Sequence, residues 1–163
     1  MAKLSVAILG LELRGGSIGA LLKHHMQKGG QHQFEIIGYD SRDEIEKSAR
    51  KIKAVDRVER KVYTAVAGAD IVVMNLPYED VKAGYELIAP DLRDGVVILD
   101  TAKIKQPSFE WAKTNLTEEH HVIGFTPIIN AEFMFEANDS PEHATEDFFL
   151  KSTVYITPSV TSI

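Results

Sequence analysis

Gly10, Gly15 and Gly16 interrupt an apolar run and hand the chain on to a helical pattern. Asp40 closes the next apolar run, about 25 residues beyond Gly15. Glycines between a strand and a helix let backbone N–H groups and the positive helix end approach an anion. An acid after the following strand accepts hydrogen bonds from a ribose. The chemistry served by that spacing is the holding of a dinucleotide by its pyrophosphate and adenosine ribose. Glu12 breaks the pattern. It stands where G-x-G-x-x-G has its second glycine, so the turn reads G-x-E-x-x-G. A carboxylate about 4 Å from a phosphate charge, at an effective dielectric near 20, is repelled by on the order of 4 kcal/mol. Turning to solvent or pairing with Arg14 removes most of that. A shifted ligand pose and a vestigial site both remain open.

These glycines and acids need strands and helices to place them. Lys3 to Leu9 reads as the first strand, and Ile18, Leu21, Leu22 and Met26 give a helix from about Gly16 to Lys28 that stops at Gly29-Gly30. Phe34 to Asp40 is the second strand. Ser41 to Glu44 has the form of a capping box before the stripe Ile45, Ala49 and Ile52. A short third strand is expected near Val62–Thr64, and Asp70 to Pro77 is the fourth. Val81, Tyr85 and Ile88 mark a helix closed by Pro90, and Val96 to Asp100 is the fifth strand. Pro107 opens a helix through Phe109, Ala112 and Leu116, and His121 to Phe125 is the sixth strand. Thr153 to Thr157 is a last strand at an edge. The strands are near-continuous apolar runs alternating with helices. That predicts an α/β fold of Rossmann type, a doubly wound, mostly parallel sheet with an extra C-terminal edge strand.

Ligands of such sheets bind at the carboxyl ends of the strands. The pyrophosphate then falls to Gly10, Leu11, Glu12, Leu13, Arg14 and Gly15, and the adenosine ribose to Asp40, Ser41 and Arg42. Asn75, Leu76, Pro77 and Thr101 line the ribose–nicotinamide side. The cofactor expected is NAD or NADP. Asp40 favours NAD slightly, because a carboxylate repels a 2′-phosphate, whereas Arg42 accommodates one. Lys103 sits where it can hold an anionic substrate or exchange a proton. It can equally be solvated or paired with Glu12.

Composition bounds the rest. The chain of 163 residues suits a single domain, and a net charge of −6 argues against nucleic-acid or anionic-membrane surfaces. The absence of cysteine excludes disulfides and thiolate chemistry. No apolar run is long enough to span a membrane and no signal peptide opens the chain, so a cytoplasmic protein is expected. The pairs His24/His25 and His120/His121 lack metal-ligand spacing. Phe133, Phe135, Phe148 and Phe149 dot an acidic segment, read as packing under a long loop or as a partner surface, with a homodimer through residues after Ile128.

Val6 to Gly19 resembles the opening of the prephenate and arogenate dehydrogenases, "GLGLIGGS" in that family. Ile36 to Asp40, Ala69 to Pro77 and Ile98 to Lys105 are similar to its next three blocks. Gly124 to Pro127 with Glu132 resembles "GHP…E", and Asp147 to Leu150 with Val154 to Pro158 resembles "DLF…LTP". The resemblance implies a nicotinamide-dinucleotide domain over residues 1–163 and a small-molecule substrate, without the family's C-terminal helical domain. It also implies catalytic positions for Lys103, where the family has the serine of "GSVK", and for Thr126, where it has the histidine of "GHP". Lys105 matches the family's lysine. Threonine is a poor general base near neutral pH. The two functions expected are an NAD(P)-dependent oxidoreductase acting on something other than prephenate, and a non-catalytic binding or regulatory module that kept the fold and lost the cofactor.

Overall fold

Strand β1 (Lys3–Leu9) lies in the interior of one seven-stranded sheet, because its residues are apolar on both faces. The computed structural model describes residues 3–134 and 139–159. Successive side chains of a strand point to opposite faces. Val6 and Ile8 accordingly pack under α1 (Leu13–Gln27) and α2 (Asp43–Lys51), with Ile18, Leu22 and Ala49 among their neighbours. Ala7 and Leu9 join the opposite core, with Ala65 and Val66 of α3 (Val62–Val66), Tyr85 and Ile88 of α4 (Val81–Ile88) and Ala112 of α5 (Lys105–Asn115).

The remaining strands are β2 (Gln33–Tyr39), β3 (Arg57–Val58), β4 (Ile71–Met74), β5 (Val97–Asp100), β6 (His121–Pro127) and β7 (Val154–Pro158). They run in the order β3-β2-β1-β4-β5-β6-β7. The first six are parallel, and β7 pairs antiparallel with β6. From β1 the chain winds first towards β2 and later returns to add β4 on the other side. That reversal opens a crevice above the carboxyl ends of β1 and β4. Among the described residues no helix is long and apolar enough to cross a membrane.

Several elements differ from the sequence expectation. Val62–Thr64 is helical: Val62, Ala65 and Val66 follow helical spacing and bury into the core, while the third strand is the short Arg57–Val58, paired with Ile37 and Gly38. Helix α1 begins at Leu13, so Gly15 and Gly16 lie inside it. Glycine within a helix costs about 1 kcal/mol relative to alanine, and close packing makes it necessary here. A Cβ on Gly15 would overlap the Gly10 carbonyl oxygen, and one on Gly16 would come within 2.9 Å of Ala144 Cβ. The capping box does not form, since α2 is capped at Arg42 with no side-chain bond.

Residues 139–149 lie across α1. Leu13 N–H donates to the Asp139 carbonyl at 3.0 Å, and Thr145 N–H donates to Ser17 Oγ at 3.2 Å. Phe148 and Phe149 bury against Leu13 with Phe133 at their edge. Of the two readings of Phe148 and Phe149, packing under a long loop is the one the structure shows. Phe135 falls outside the described residues.

Below the crevice, Asp100 is fully buried. It accepts hydrogen bonds from Tyr85 Oη at 2.7 Å, Ala102 N–H at 2.7 Å and the Ser108 hydroxyl. This network ties α4 and α5 to the end of β5 and fixes the turn carrying Thr101 and Lys103. Burial, and then the charge of Asp100, push the Tyr85 hydroxyl far above its ordinary pKa of 10.0. A raised folded-state pKa gives stability that is complete below the unfolded value and lost as pH rises beyond it. Tyr85→Phe should cost about 1–3 kcal/mol at pH 7. Above about pH 10 the wild type should lose about 1.4 kcal/mol per pH unit more than this variant. Urea unfolding across pH 8–11 measures both; parallel pH curves for the two proteins would contradict the assignment.

Candidate functional site

The turn after β1 is held open by Gly10. Its φ of +88° belongs to the left-handed region, and a Cβ there would overlap the Asn75 carbonyl oxygen. Only glycine fits both constraints. The backbones of β1 and β4 therefore meet closely at their carboxyl ends. Asn75 Nδ2 donates to the Gly10 carbonyl at 3.2 Å. Thr101 Oγ1 lies 3.0 Å from the Met74 carbonyl and 3.3 Å from Asn75 Oδ1, donating there. Asn75 and Thr101 thus lock the ends of β1, β4 and β5 together as well as facing the crevice.

Two adjoining cavities occupy that crevice. One, of about 420 Å³, is walled by Val62, Leu76, Ala83 and Leu87, with Asp40 and Arg42 at its polar end. The other, of about 330 Å³, runs from Asn75, Leu76 and Pro77 to Thr101 and Lys103, with Arg14 and Asp139 opposite. Glu12, Asn75, Leu76 and Pro77 line both, so Glu12 stands at their junction.

Glu12 pairs neither with Arg14 nor with Lys103. Its carboxylate meets Arg42 Nη1 at 2.7 Å, and Arg42 also engages Asp40. Those carboxylates, Asp40 first, hold the guanidinium more firmly protonated than usual. Asp40 is 6% exposed and accepts the Leu11 N–H at 2.9 Å, which fastens the glycine turn to the end of β2. Leu13 N–H, the first helical amide of α1, is taken by Asp139.

The residues fit a nucleotide at the ends of the crevice. An apolar slot for a base adjoins Asp40 and Arg42, and the tight Gly10–Gly15 turn underlies the middle. The middle is also where an acid and a capped amide stand on the path of a pyrophosphate.

The residues expected to touch a substrate are split. Lys103 is exposed at the second cavity and makes no hydrogen bond or ion pair among the described residues. Thr126 lies on β6 opposite Tyr155 of β7 and lines neither cavity. Lys105, which the sequence reading aligned without assigning a role, donates to the carbonyls of Asp100 at 2.7 Å and Phe125 at 3.4 Å. It clips β5 to β6, and burial lowers its pKa. It lies five residues past the strand-terminal Asp100, and its match to the family's lysine is the signal that marked it. Ser41 is exposed beside Arg42.

The sequence profile of the family described as prephenate dehydrogenase, nucleotide-binding domain, matches residues 22–162, beginning past the glycine turn. A cyclohexadienyl dehydrogenase of Zymomonas mobilis is 26% identical over 153 residues, 94% of this chain and 48% of that protein. The chain thus spans about half the length of that curated relative. In fold it is similar to prephenate dehydrogenase from Aquifex aeolicus, crystallised with hydroxyphenyl propionate and NAD+ (TM-score 0.82, 17% identity, covering all of this chain and 53% of that one). It is also similar to Synechocystis arogenate dehydrogenase (TM-score 0.80, 20% identity, 98% and 52% covered). Both likenesses establish the doubly wound sheet.

Glu12→Gly should tighten a pyrophosphate-bearing nucleotide such as ADP-ribose by about 1–3 kcal/mol, the Coulomb figure reduced for solvent exposure. Glu12→Gln removes the charge at nearly constant volume. A gain shared by both variants and shrinking with salt assigns the effect to charge; a gain confined to glycine assigns it to bulk. Calorimetry in which neither variant binds more tightly than wild type would show that Glu12 is no obstacle.

Proposed function

Because the chain belongs to the prephenate dehydrogenase nucleotide-binding family, we propose that it is the coenzyme-binding half of an NAD(P)-dependent oxidoreductase of that group. The observation that carries this reading is the continuous crevice over the ends of β1, β4 and β5, with an apolar slot beside Asp40 at one end and free Lys103 at the other.

In this reading Val62, Leu76, Ala83 and Leu87 enclose the adenine, and the Asp40–Arg42 corner meets its ribose. The Gly10–Gly15 turn and the first turn of α1 run under the pyrophosphate. Asn75, Leu76, Pro77 and Thr101 flank the nicotinamide ribose, held in place by the bonds that join the three strand ends. A bound nicotinamide supplies hydride acceptance. Lys103 then holds an anionic group of the substrate at its ammonium. Removal of a hydroxyl proton needs a base, and neither cavity is lined by a histidine. Lys105 is committed to two backbone carbonyls, and Thr126 lines neither cavity. The chain by itself therefore binds nucleotide without turning over prephenate or arogenate.

A second reading, a binding or regulatory module that has lost the cofactor, is favoured by Glu12 and by the Asp139 carbonyl on the Leu13 amide. Two measurements separate the possibilities. Titration with NAD, NADP and ADP-ribose should give saturable binding; none at millimolar concentration would leave the module reading. An assay of prephenate or arogenate with either cofactor should show no steady reduced nicotinamide, since loss of a general base costs about 10²–10⁴-fold. Sustained turnover at ordinary enzyme concentration would contradict the reading that a site without histidine does not support this chemistry.

A further inference from the structure

Asp40 is already saturated. A carboxylate offers about four acceptor positions. Oδ2 of Asp40 receives Leu11 N–H at 2.9 Å and Arg42 Nη2 at 3.4 Å, and Oδ1 receives the Arg42 backbone N–H and Nε, both at 3.1 Å. A ribose 2′-hydroxyl arriving as a donor finds no free lone pair there. Arg42 is the opposite case. Three of its five side-chain N–H groups are directed at Asp40 and Glu12, which leaves two. Its side chain is 43% exposed on the wall of the apolar cavity. The group presented to the 2′ position is thus a planar donor fork, the geometry that suits a phosphate. Arg60 lines an adjoining cavity of about 240 Å³ that shares Tyr39, Asp40 and Ser41 with the first. Asp43 and Glu46 also line it, so charge alone does not decide and donor geometry does.

We infer that Arg42 sets the nucleotide specificity of the crevice, selecting an adenosine ribose that carries a 2′-phosphate, and hence NADP over NAD. This rests on the nucleotide-binding reading above and departs from the slight NAD preference that Asp40 suggests in the sequence. The phosphate takes the two unused N–H groups of Arg42 and competes with Glu12 for a third. Glu12, released, turns to solvent and clears the junction of the two cavities. Recognition of the 2′-phosphate and passage of the pyrophosphate are therefore coupled through one arginine.

Calorimetric titration of the full chain with adenosine 2′-monophosphate, adenosine 5′-monophosphate, NADP and NAD tests this. The 2′-monophosphate should bind about tenfold or more tightly than the 5′ isomer, and NADP likewise relative to NAD, with both preferences shrinking as salt rises. Arg42→Ala should abolish the preference. Glu12→Gln should enlarge it by weakening the competitor for the third donor from a charged to a neutral acceptor, and it carries the test if Arg42→Ala fails to fold. Equal or tighter binding of the 5′-monophosphate and NAD by wild type overturns the inference and leaves nucleotide binding standing. Failure of all four ligands to bind at millimolar concentration overturns both.

Discussion

The approach of Gly10 to the Asn75 carbonyl is the constraint from which the crevice follows. No Cβ fits between them, and the φ of +88° excludes most side chains besides. Once those backbones touch, Asn75 reaches back to Gly10 and is itself held by Thr101, so three strand ends become one rigid floor. The buried Asp100 cluster supports the same floor from below through Tyr85 and Ser108. Lys105 closes the next gap by bridging β5 and β6. The order of the sheet makes a crevice possible, and these contacts give it fixed walls.

Charge acts on that fixed frame. Glu12, Arg42 and Asp40 form a chain of contacts across the junction of the two cavities. The exposed members, Glu12 and Arg42, form a pair that contributes little to folding stability, so its consequence lies in binding. Asp40 differs from them because it is buried and fully bonded. It fastens the glycine turn to β2, a structural duty that a ligand cannot take over without displacing Arg42.

Much of this was legible in the sequence. The apolar runs gave the five longer parallel strands, because a parallel sheet buried on both faces needs nearly unbroken apolar residues. The glycine turn and Asp40 located the crevice. The two-residue β3 was missed because Arg57–Val58 is too short to show a period, and Val62–Thr64, part of the five-residue helix α3, passed for a strand. The Glu12–Arg42 pair was out of reach, since spacing along the chain does not reveal which of three nearby cations an acid meets. Thr126 drew attention through its neighbours in sequence, yet it stands on β6 opposite Tyr155 of β7 and lines neither cavity. The cover over α1 was equally illegible, because the loop that packs Phe148 and Phe149 on Leu13 has no periodic pattern.

The central claim is that the crevice over β1, β4 and β5 is a nucleotide site. Amide chemical shifts recorded during titration of the labelled chain with ADP-ribose test it most directly. The account predicts saturable shifts at Leu11, Glu12, Arg42, Leu76 and Thr101, with the outer strand β7 unmoved. Shifts confined to β7 or to the outer face of α5, or none at millimolar ligand, would contradict it.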